Sequence, residues 1–180
     1  MSAVERTYWS EAEFLGRPGA LQRAELVDGE LVVSASPSWW HGVLCERLGF
    51  RLRCWAEDQA APWHVVYGPL DLHLGPRRIV QPDVALFEGT IPWDEPRPLR
   101  RLPRLVVEVQ SPTTAVHDRR TKRMLYAEAG LAELWLVDPE GEVEVFTGAG
   151  LADRAVERGV FAARTVPGLQ IDVAAVVARS

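Results

Sequence analysis

RLVVEVQ, residues Arg104–Gln110, is the stretch that decides the fold expected of this sequence. Its apolar residues are one leucine and three β-branched valines, a composition typical of a strand buried on both faces. Glu108 lies in the middle of this run, where an ionised carboxylate is costly unless a cation or strong hydrogen-bond donors meet it. The stretch therefore predicts a central strand that carries one functional acid.

A second acid has a similar setting. Asp83 follows Pro82 within RRIVQPDVALF, which is another strand-like run. Two acids on neighbouring apolar strands indicate a shared cation, because buried ionised carboxylates need a positive partner. We therefore expect Asp83 and Glu108 to converge on one divalent ion.

The composition is that of an ordinary folded protein. Of 180 residues, 47% are hydrophobic and 25% charged, which excludes a largely disordered chain and fits one domain over residues 1–180. No apolar run approaches the ~20 residues that span a bilayer, and the first residues have no signal-peptide core, so we expect a cytoplasmic protein without a membrane partner. Cys45 and Cys54 have no second cysteine pair to complete a zinc site, and we interpret both as reduced packing residues.

The charges are unevenly distributed along the chain. A net charge of −5 argues mildly against tight non-specific binding to nucleic acid. Between residues 97 and 123, however, the only acids are Glu108 and Asp118. The cations of this basic run are Arg97, Arg100, Arg101, Arg104, Arg119, Arg120, Lys122 and Arg123. The run is either a local patch for an anionic partner or a solvated charged surface.

Apolar spacing and turn residues predict an α/β fold in which helices flank a mixed sheet. In the first half of the chain, the predicted elements are a helix from Ser10 to the Gly16–Gly19 region, a hairpin turning at Asp28-Gly29, a helix from Pro37 to about Gln59, one strand over residues 63–74 and the Asp83 strand ending near Phe87. A proline-rich loop over residues 89–104 precedes the central strand. After it we expect a helix over Asp118–Ala129, a strand pair over residues 131–148, a strand over residues 160–168 and a short closing helix over residues 171–178.

The helix after the central strand supplies a cation. Lys122, Leu125, Tyr126 and Ala129 recur at the spacing of one helix face, and the apolar members indicate that this face looks inward. Lys122 would then reach the sheet, although a lysine at the edge of such a face usually extends to solvent. Beside two carboxylates, its better role is that of a counter-ion or of a donor to a reacting group.

These residues resemble a known family. Pro82-Asp83 and Glu108-Val109-Gln110 are similar to the PD…(D/E)xK motif of restriction-endonuclease-like nucleases. A longer series of motifs over about residues 20–146 resembles the bacterial Uma-type family, which is especially common in cyanobacteria. Its motifs are ELVDGEL, His41, QPDV, LVVEVQSPTT, Asp118…Lys122…Tyr126 and AELWLVDPEG. The resemblance implies a restriction-endonuclease-like core, in which helices flank a central mixed β-sheet, and an endonuclease that cleaves DNA with Mg²⁺ or Mn²⁺.

One position departs from the superfamily pattern and shapes the predicted site. Gln110 stands where many members have lysine, and the resemblance implies that the lysine has moved to the following helix as Lys122. The predicted catalytic residues are therefore Asp83, Glu108, Gln110 and Lys122, with the Gln110 amide orienting a water. The predicted metal ligands are Asp83, Glu108, the Val109 carbonyl and, from the resemblance, Glu25. A solvated glutamate at the hairpin edge is the alternative for Glu25.

The predicted contacts to DNA are less specific. They are His41, Arg119, Arg120 and Tyr126, although a lone histidine such as His41 is more often a packing residue. Two other hypotheses compete with the nuclease. One is a module of the same fold that binds nucleic acid or protein without catalysis, and the other is a purely structural ion pair between Glu108 and Lys122 or an arginine. The sequence leaves open whether the protein acts as a homodimer.

Overall fold

A computed structural model describes residues 8–17, 24–110 and 115–179, with the backbone alone for residues 115–119. The helices are α1 (Glu11–Gly16), α2 (Trp39–Glu57), α3 (Ala115–Ala129) and α4 (Val173–Val177). The strands are β1 (Ala24–Val27), β2 (Glu30–Val33), β3 (Trp63–Tyr67), β4 (Leu72–Gly75), β5 (Arg78–Val80), β6 (Val84–Glu88), β7 (Leu105–Val109), β8 (Glu133–Val137), β9 (Val143–Thr147), β10 (Asp153–Glu157), β11 (Val160–Ala162) and β12 (Gln170–Asp172).

The central sheet has six strands in the order β10-β9-β8-β7-β6-β3. The pair β7 and β8 is parallel, and the other neighbouring strands are antiparallel. The chain connects β7 to β8 through α3, because parallel neighbours need a crossover that a helix commonly supplies. The predicted fold class is therefore confirmed: the sheet is mixed and helices flank it.

Strand β7 is buried on both faces and divides the core in two. Leu105, Val107 and Val109 pack with α2 and α4 in one hydrophobic cluster. Val106 packs in a second cluster with residues of α3, and Glu108 faces the same side because side chains alternate along a strand. The alternation thus places the one charged residue of the strand under α3.

A second, smaller sheet covers part of the α3 side. Its four strands have the order β2-β1-β5-β4, and Leu72, Leu74 and Val80 pack in the same cluster as Tyr126. On its other side, Phe14 of α1 packs with apolar residues of β1 and β5. This sheet brings β1 within reach of α3 and β7.

Two predicted strands are wrong in extent. The single strand expected over residues 63–74 is two strands in different sheets, since β3 pairs with β6 whereas β4 pairs with β5. Gly68, which has a positive φ, and Pro69 interrupt the run and redirect the chain. The expected strand around Asp83 is likewise divided into β5 and β6, because Pro82 has no N–H for a ladder. Strand β10 was not predicted.

The strand predicted over residues 160–168 is shorter, since β11 ends at Ala162, and the closing helix begins later than predicted, since residues 170–172 form β12. The remaining predicted elements are confirmed. The helix capped by Ser10, the hairpin at Asp28-Gly29 and the long helix α2 form as expected. Helix α3 begins at Ala115, three residues earlier than predicted, and is followed by Gly130 with positive φ. In the stretches 8–17, 24–110 and 115–179, no helix combines the length and apolar character needed to cross a bilayer.

Candidate functional site

Three acidic side chains meet under α3. Glu25 comes from β1, Asp83 is the residue before β6, and Glu108 is the second-last residue of β7. Their residues are only 5%, 6% and 7% exposed, whereas acidic residues are almost never this buried unless they are paired. The burial of Glu25 excludes the alternative of a solvated glutamate at the hairpin edge.

Strand register places Asp83 beside Glu108. The last described pair of β6 and β7 is Val84 opposite Val107, and one further step brings Asp83 opposite Glu108. Directly opposite residues of antiparallel strands share a face of the sheet. Asp83 Oδ2 accepts a hydrogen bond from the Val109 N–H at 2.9 Å, which fixes the carboxylate at the end of β7.

A hydrogen bond from the backbone also fixes Glu25, the third acid of the cluster. Glu25 Oε1 accepts a hydrogen bond from the N–H of Gln81 at 2.8 Å. Gln81 lies between β5 and β6, two residues before Asp83, so this bond ties the small sheet to the start of β6. Sequence reasoning missed Gln81, and the only signal was its place in the QPD motif.

Lys122 joins the two sheets. Its Nζ lies 3.0 Å from Glu25 Oε1 and 3.3 and 3.4 Å from the two carboxylate oxygens of Glu108. Its side chain is 14% exposed, so the ammonium and the carboxylates are largely removed from water. The structure thus brings together the helix lysine and the acids that the motif pattern singled out, with Gln110 directly after β7.

Burial controls the protonation of Glu108. The pKa of Glu108 is raised from 4.5 to about 8, chiefly by removal from water and also by the negative charges of Asp83 and Glu25, against the opposing effect of the Lys122 ammonium. The Tyr126 hydroxyl donates to Glu108 Oε1 at 2.7 Å. Burial, followed by the charge of Glu108, raises the pKa of Tyr126 well above its usual value, so Tyr126 remains a hydrogen-bond donor.

The shifted pKa of Glu108 predicts a pH-dependent stability of the metal-free protein. The folded chain binds more protons at Glu108 than the unfolded chain between pH 4.5 and about 8, so this contribution to stability is present below pH 4.5 and is lost as the pH rises through that window. We expect the loss to be on the order of a few kcal/mol. Urea unfolding in EDTA, compared between wild type and Glu108→Gln, measures it. Equal pH dependence of both proteins would contradict the assignment.

Gln110 carries an unsatisfied acceptor at the end of β7. Its N–H donates to the Val137 carbonyl at 2.8 Å, which continues the ladder between β7 and β8. Its side-chain Oε1 is buried and has no hydrogen-bond partner among the residues that the structure describes. Buried polar atoms are nearly always satisfied, so this oxygen indicates a place for a water or an ion.

The donor set fits a hard divalent cation. Carboxylate, amide and backbone carbonyl oxygens are the ligands that Mg²⁺ and Mn²⁺ prefer. Asp83 and Glu108 supply carboxylates from adjacent strands, and Gln110 adds the unsatisfied oxygen. The residues at this site therefore match the ion that the sequence motifs imply.

Of the four residues predicted to contact DNA, His41 and Tyr126 are buried and Arg120 is exposed. His41, at the start of α2, is 8% exposed, and its Nε2 lies 3.2 Å from Asp83 Oδ2, so it contacts an acid of the site. Tyr126 is buried against Glu108. Arg120 is exposed on α3, whereas the side chain of Arg119 lies outside the described residues.

Members of the basic run contact their own neighbours. Arg97 pairs with Asp71 at 2.9 Å, and Arg100 Nη2 lies 3.5 Å from Glu11. Arg101 donates to the carbonyl of Thr90 at 2.7 Å. These three cations of the run are thus each held by a partner within the fold.

Comparisons with known proteins agree with this architecture. A family model described as "Uma2: Putative restriction endonuclease" matches residues 11–174. A crystal structure described as a putative nuclease belonging to DUF820, from Anabaena variabilis ATCC 29413, is similar with a TM-score of 0.73 and 20% sequence identity. The match covers 93% of this chain and 97% of that chain, and it shows a shared fold. Among curated proteins, none matches this chain.

Proposed function

The chain belongs to the Uma2 family of putative restriction endonucleases, and on this premise we propose that it is a metal-dependent endonuclease that hydrolyses DNA phosphodiester bonds. The observation that carries the proposal is the convergence of three buried acids, Glu25, Asp83 and Glu108, of which Glu25 and Glu108 contact Lys122. A purely structural ion pair needs one acid for one base. Three buried acids can all be ionised at once only if more positive charge than one lysine is present, and a bound divalent cation would supply it.

Asp83 and Glu108 are the proposed ligands of Mg²⁺ or Mn²⁺, with the Val109 carbonyl and Glu25 as further oxygen donors. When bound, the ion polarises the phosphoryl oxygen and lowers the pKa of the attacking water. The hydrogen bond from the Val109 N–H orients Asp83, and the hydroxyl of Tyr126 orients Glu108. Both carboxylates are thus held in place before the ion and the substrate arrive.

Lys122 is the proposed catalytic cation. Glu25 and Glu108 hold its ammonium between β1 and β7, at the edge of the acid cluster. There it can donate to a phosphoryl oxygen and stabilise the negative charge that grows in the transition state. Gln110 is the proposed positioning residue for the attacking water, because its buried Oε1 is an acceptor in need of a donor.

DNA is the proposed substrate, in the cytoplasm. Arg119 and Arg120 on α3 are the proposed contacts to backbone phosphates, since contacts of this kind supply most of the affinity without reading sequence. His41 is assigned to the orientation of Asp83, given their 3.2 Å contact.

Cleavage and metal binding test the proposed function together. We expect the purified protein to cut plasmid or single-stranded DNA in Mg²⁺ or Mn²⁺ and to stop when EDTA is added, because the acids cannot activate water without the ion. Calorimetric titration with Mn²⁺ should show a site that Asp83→Asn removes. Glu95→Gln is the matched control, since Glu95 is an exposed acid of the proline-rich loop whereas the three acids of the cluster are buried.

The same experiment identifies the competing function. A module that only binds nucleic acid would retain DNA in a mobility-shift assay without cutting it and would need no Mn²⁺ site. The feature that favours this alternative is the ammonium of Lys122. It already contacts Glu25 and Glu108, and it therefore supplies part of the positive charge that a divalent cation would otherwise supply. Retention of DNA without cleavage, and no heat of Mn²⁺ binding, would overturn the nuclease.

A further inference from the structure

A thiol lies next to the site, on the first turns of α2. His41 and Cys45 are four residues apart and therefore share one face of the helix. Cys45 Sγ lies 3.5 Å from His41 Nδ1. Sequence spacing alone did not reveal this pair as a candidate site, because no second cysteine or histidine pair accompanies it.

The same histidine reaches the acid cluster. His41 Nε2 lies 3.2 Å from Asp83 Oδ2, so Asp83 stands between the thiol-bearing helix and Glu108. One ligand atom from each of His41, Cys45 and Asp83 can be chosen so that all three lie within 4.8 Å of one another. A tetrahedral ion with bonds of ~2.1 Å has ligand atoms about 3.4 Å apart, so the three side chains must rotate toward one another to close on one ion. Cys45 now contacts Nδ1 of His41 and Asp83 contacts Nε2.

We propose that His41, Cys45 and Asp83 form a second metal site, selective for Zn²⁺. Thiolate and imidazole are ligands that Zn²⁺ accepts and that Mg²⁺ does not, since Mg²⁺ requires oxygen donors in an octahedral arrangement. Three protein ligands leave a fourth position for water. The thiol and the imidazole separate this site from the oxygen-rich centre of Glu25, Glu108 and Gln110.

The two sites share Asp83, and the consequence rests on the function proposed above. Zn²⁺ bound to His41 and Cys45 also takes the carboxylate of Asp83 as a ligand, and the catalytic ion needs that same carboxylate. Zn²⁺ binding and Mg²⁺-dependent cleavage are then mutually exclusive, so that micromolar zinc inhibits the enzyme and excess Mg²⁺ relieves the inhibition only weakly. Thiolate and imidazole ligands bind Zn²⁺ more tightly than they bind the hard cations Mg²⁺ and Mn²⁺.

Cobalt substitution tests the site without any cleavage assay. Co²⁺ bound to a thiolate gives an intense near-ultraviolet charge-transfer band, which oxygen and nitrogen ligands do not give. The matched control is Cys54→Ser, because Cys54 is an exposed thiol on the same helix and its removal leaves Cys45 as the sole thiol of the chain. We expect the full-length protein and Cys54→Ser to show the same band, and addition of Zn²⁺ to abolish it.

Two variants locate the ligands. Cys45→Ser should lose the cobalt band, and His41→Ala should weaken Co²⁺ binding at least about tenfold, with folding checked by circular dichroism. Absence of the band in Cys54→Ser would overturn the proposal even if Cys45→Ser fails to fold, since every thiolate signal in that variant must come from Cys45.

Inhibition is measured against the zinc-free rate of each protein. Zinc should suppress cleavage by wild type and Cys54→Ser to the same extent and should suppress cleavage by Cys45→Ser at least about tenfold less. If zinc suppresses DNA cleavage by Cys45→Ser as strongly as it suppresses cleavage by wild type, the proposal that the two metal sites share Asp83 is wrong. A protein that shows the cobalt band but never cuts DNA would instead contradict the nuclease function and support the metal site.

Discussion

Replacement of Glu108 by glutamine is expected to reduce metal-dependent DNA cleavage on the order of a thousandfold or more. Glutamine keeps the shape of the side chain and an oxygen that can accept from Tyr126, but it removes the negative charge that holds the divalent ion. Initial rates on plasmid DNA at saturating Mg²⁺ measure the loss. Mn²⁺ titration of the same variant should show affinity weakened at least about tenfold.

The fold should survive this substitution. Burial raises the pKa of Glu108 to about 8, so near neutral pH the metal-free protein already holds this side chain largely in its uncharged form. Lys122 retains Glu25 as a partner at 3.0 Å. We therefore expect the free energy of unfolding in EDTA near pH 7 to be at least that of wild type, because the variant does not undergo the loss that the shifted pKa of Glu108 causes in wild type above pH 4.5.

A control on α3 separates the site from the general charge of the protein. Glu128 pairs with Arg78 at the surface, and Glu128→Gln removes one negative charge from the same helix that carries Lys122. We expect this variant to cut DNA at close to the wild-type rate. Undiminished cleavage by Glu108→Gln, or equal losses in both variants, would exclude Glu108 as a catalytic ligand.

Replacement of Glu133 by alanine is expected to cause the largest loss of stability, about 4 kcal/mol. Glu133 begins β8 and is completely buried. Its carboxylate accepts hydrogen bonds from Trp135 Nε1 at 2.7 Å, from the Arg164 N–H at 2.9 Å and from the Thr165 N–H at 2.6 Å and hydroxyl at 3.0 Å. Alanine leaves all of these donors without an acceptor in the protein interior.

Thermal and urea unfolding measure the effect of Glu133→Ala. For a protein of this length, a loss of about 4 kcal/mol corresponds to a decrease in Tm of about 10 °C. Glu95→Ala, in the exposed loop before β7, is the matched control and should change stability by no more than about 0.5 kcal/mol. A loss below about 1 kcal/mol for Glu133→Ala would show that water replaces the carboxylate and that its hydrogen bonds contribute little.

Glu133 illustrates what local sequence patterns could not reveal. The strand–turn–strand pattern around AELWLVDPEG is correct, but the donors from Arg164 and Thr165 lie 31 and 32 residues further along the chain. Nothing near Glu133 in the sequence distinguishes it from a solvated acid at a strand end. Its role depends on the loop that the fold places over the start of β8.

The same limit explains the errors in strand extent. Apolar alternation shows that residues 63–74 are extended, but it does not show that β3 and β4 join different sheets. Strand pairing is a long-range property, decided by which partners lie alongside. By contrast, helix α3 was well predicted, because residues three and four apart in the sequence lie on the same face of a helix and therefore indicate which face is buried.

By itself, the sequence of β7 determined a buried central strand with one acid on the side of the following helix, since alternation and burial are local consequences of residue type. The motifs around it determined the family and the choice of Asp83, Glu108 and Lys122. Only the tertiary structure decided that Glu25 is buried against Lys122 and that His41 and Cys45 lie beside Asp83. Those contacts join elements far apart in the chain, and their distances follow from how the sheets and helices pack, which no local pattern specifies.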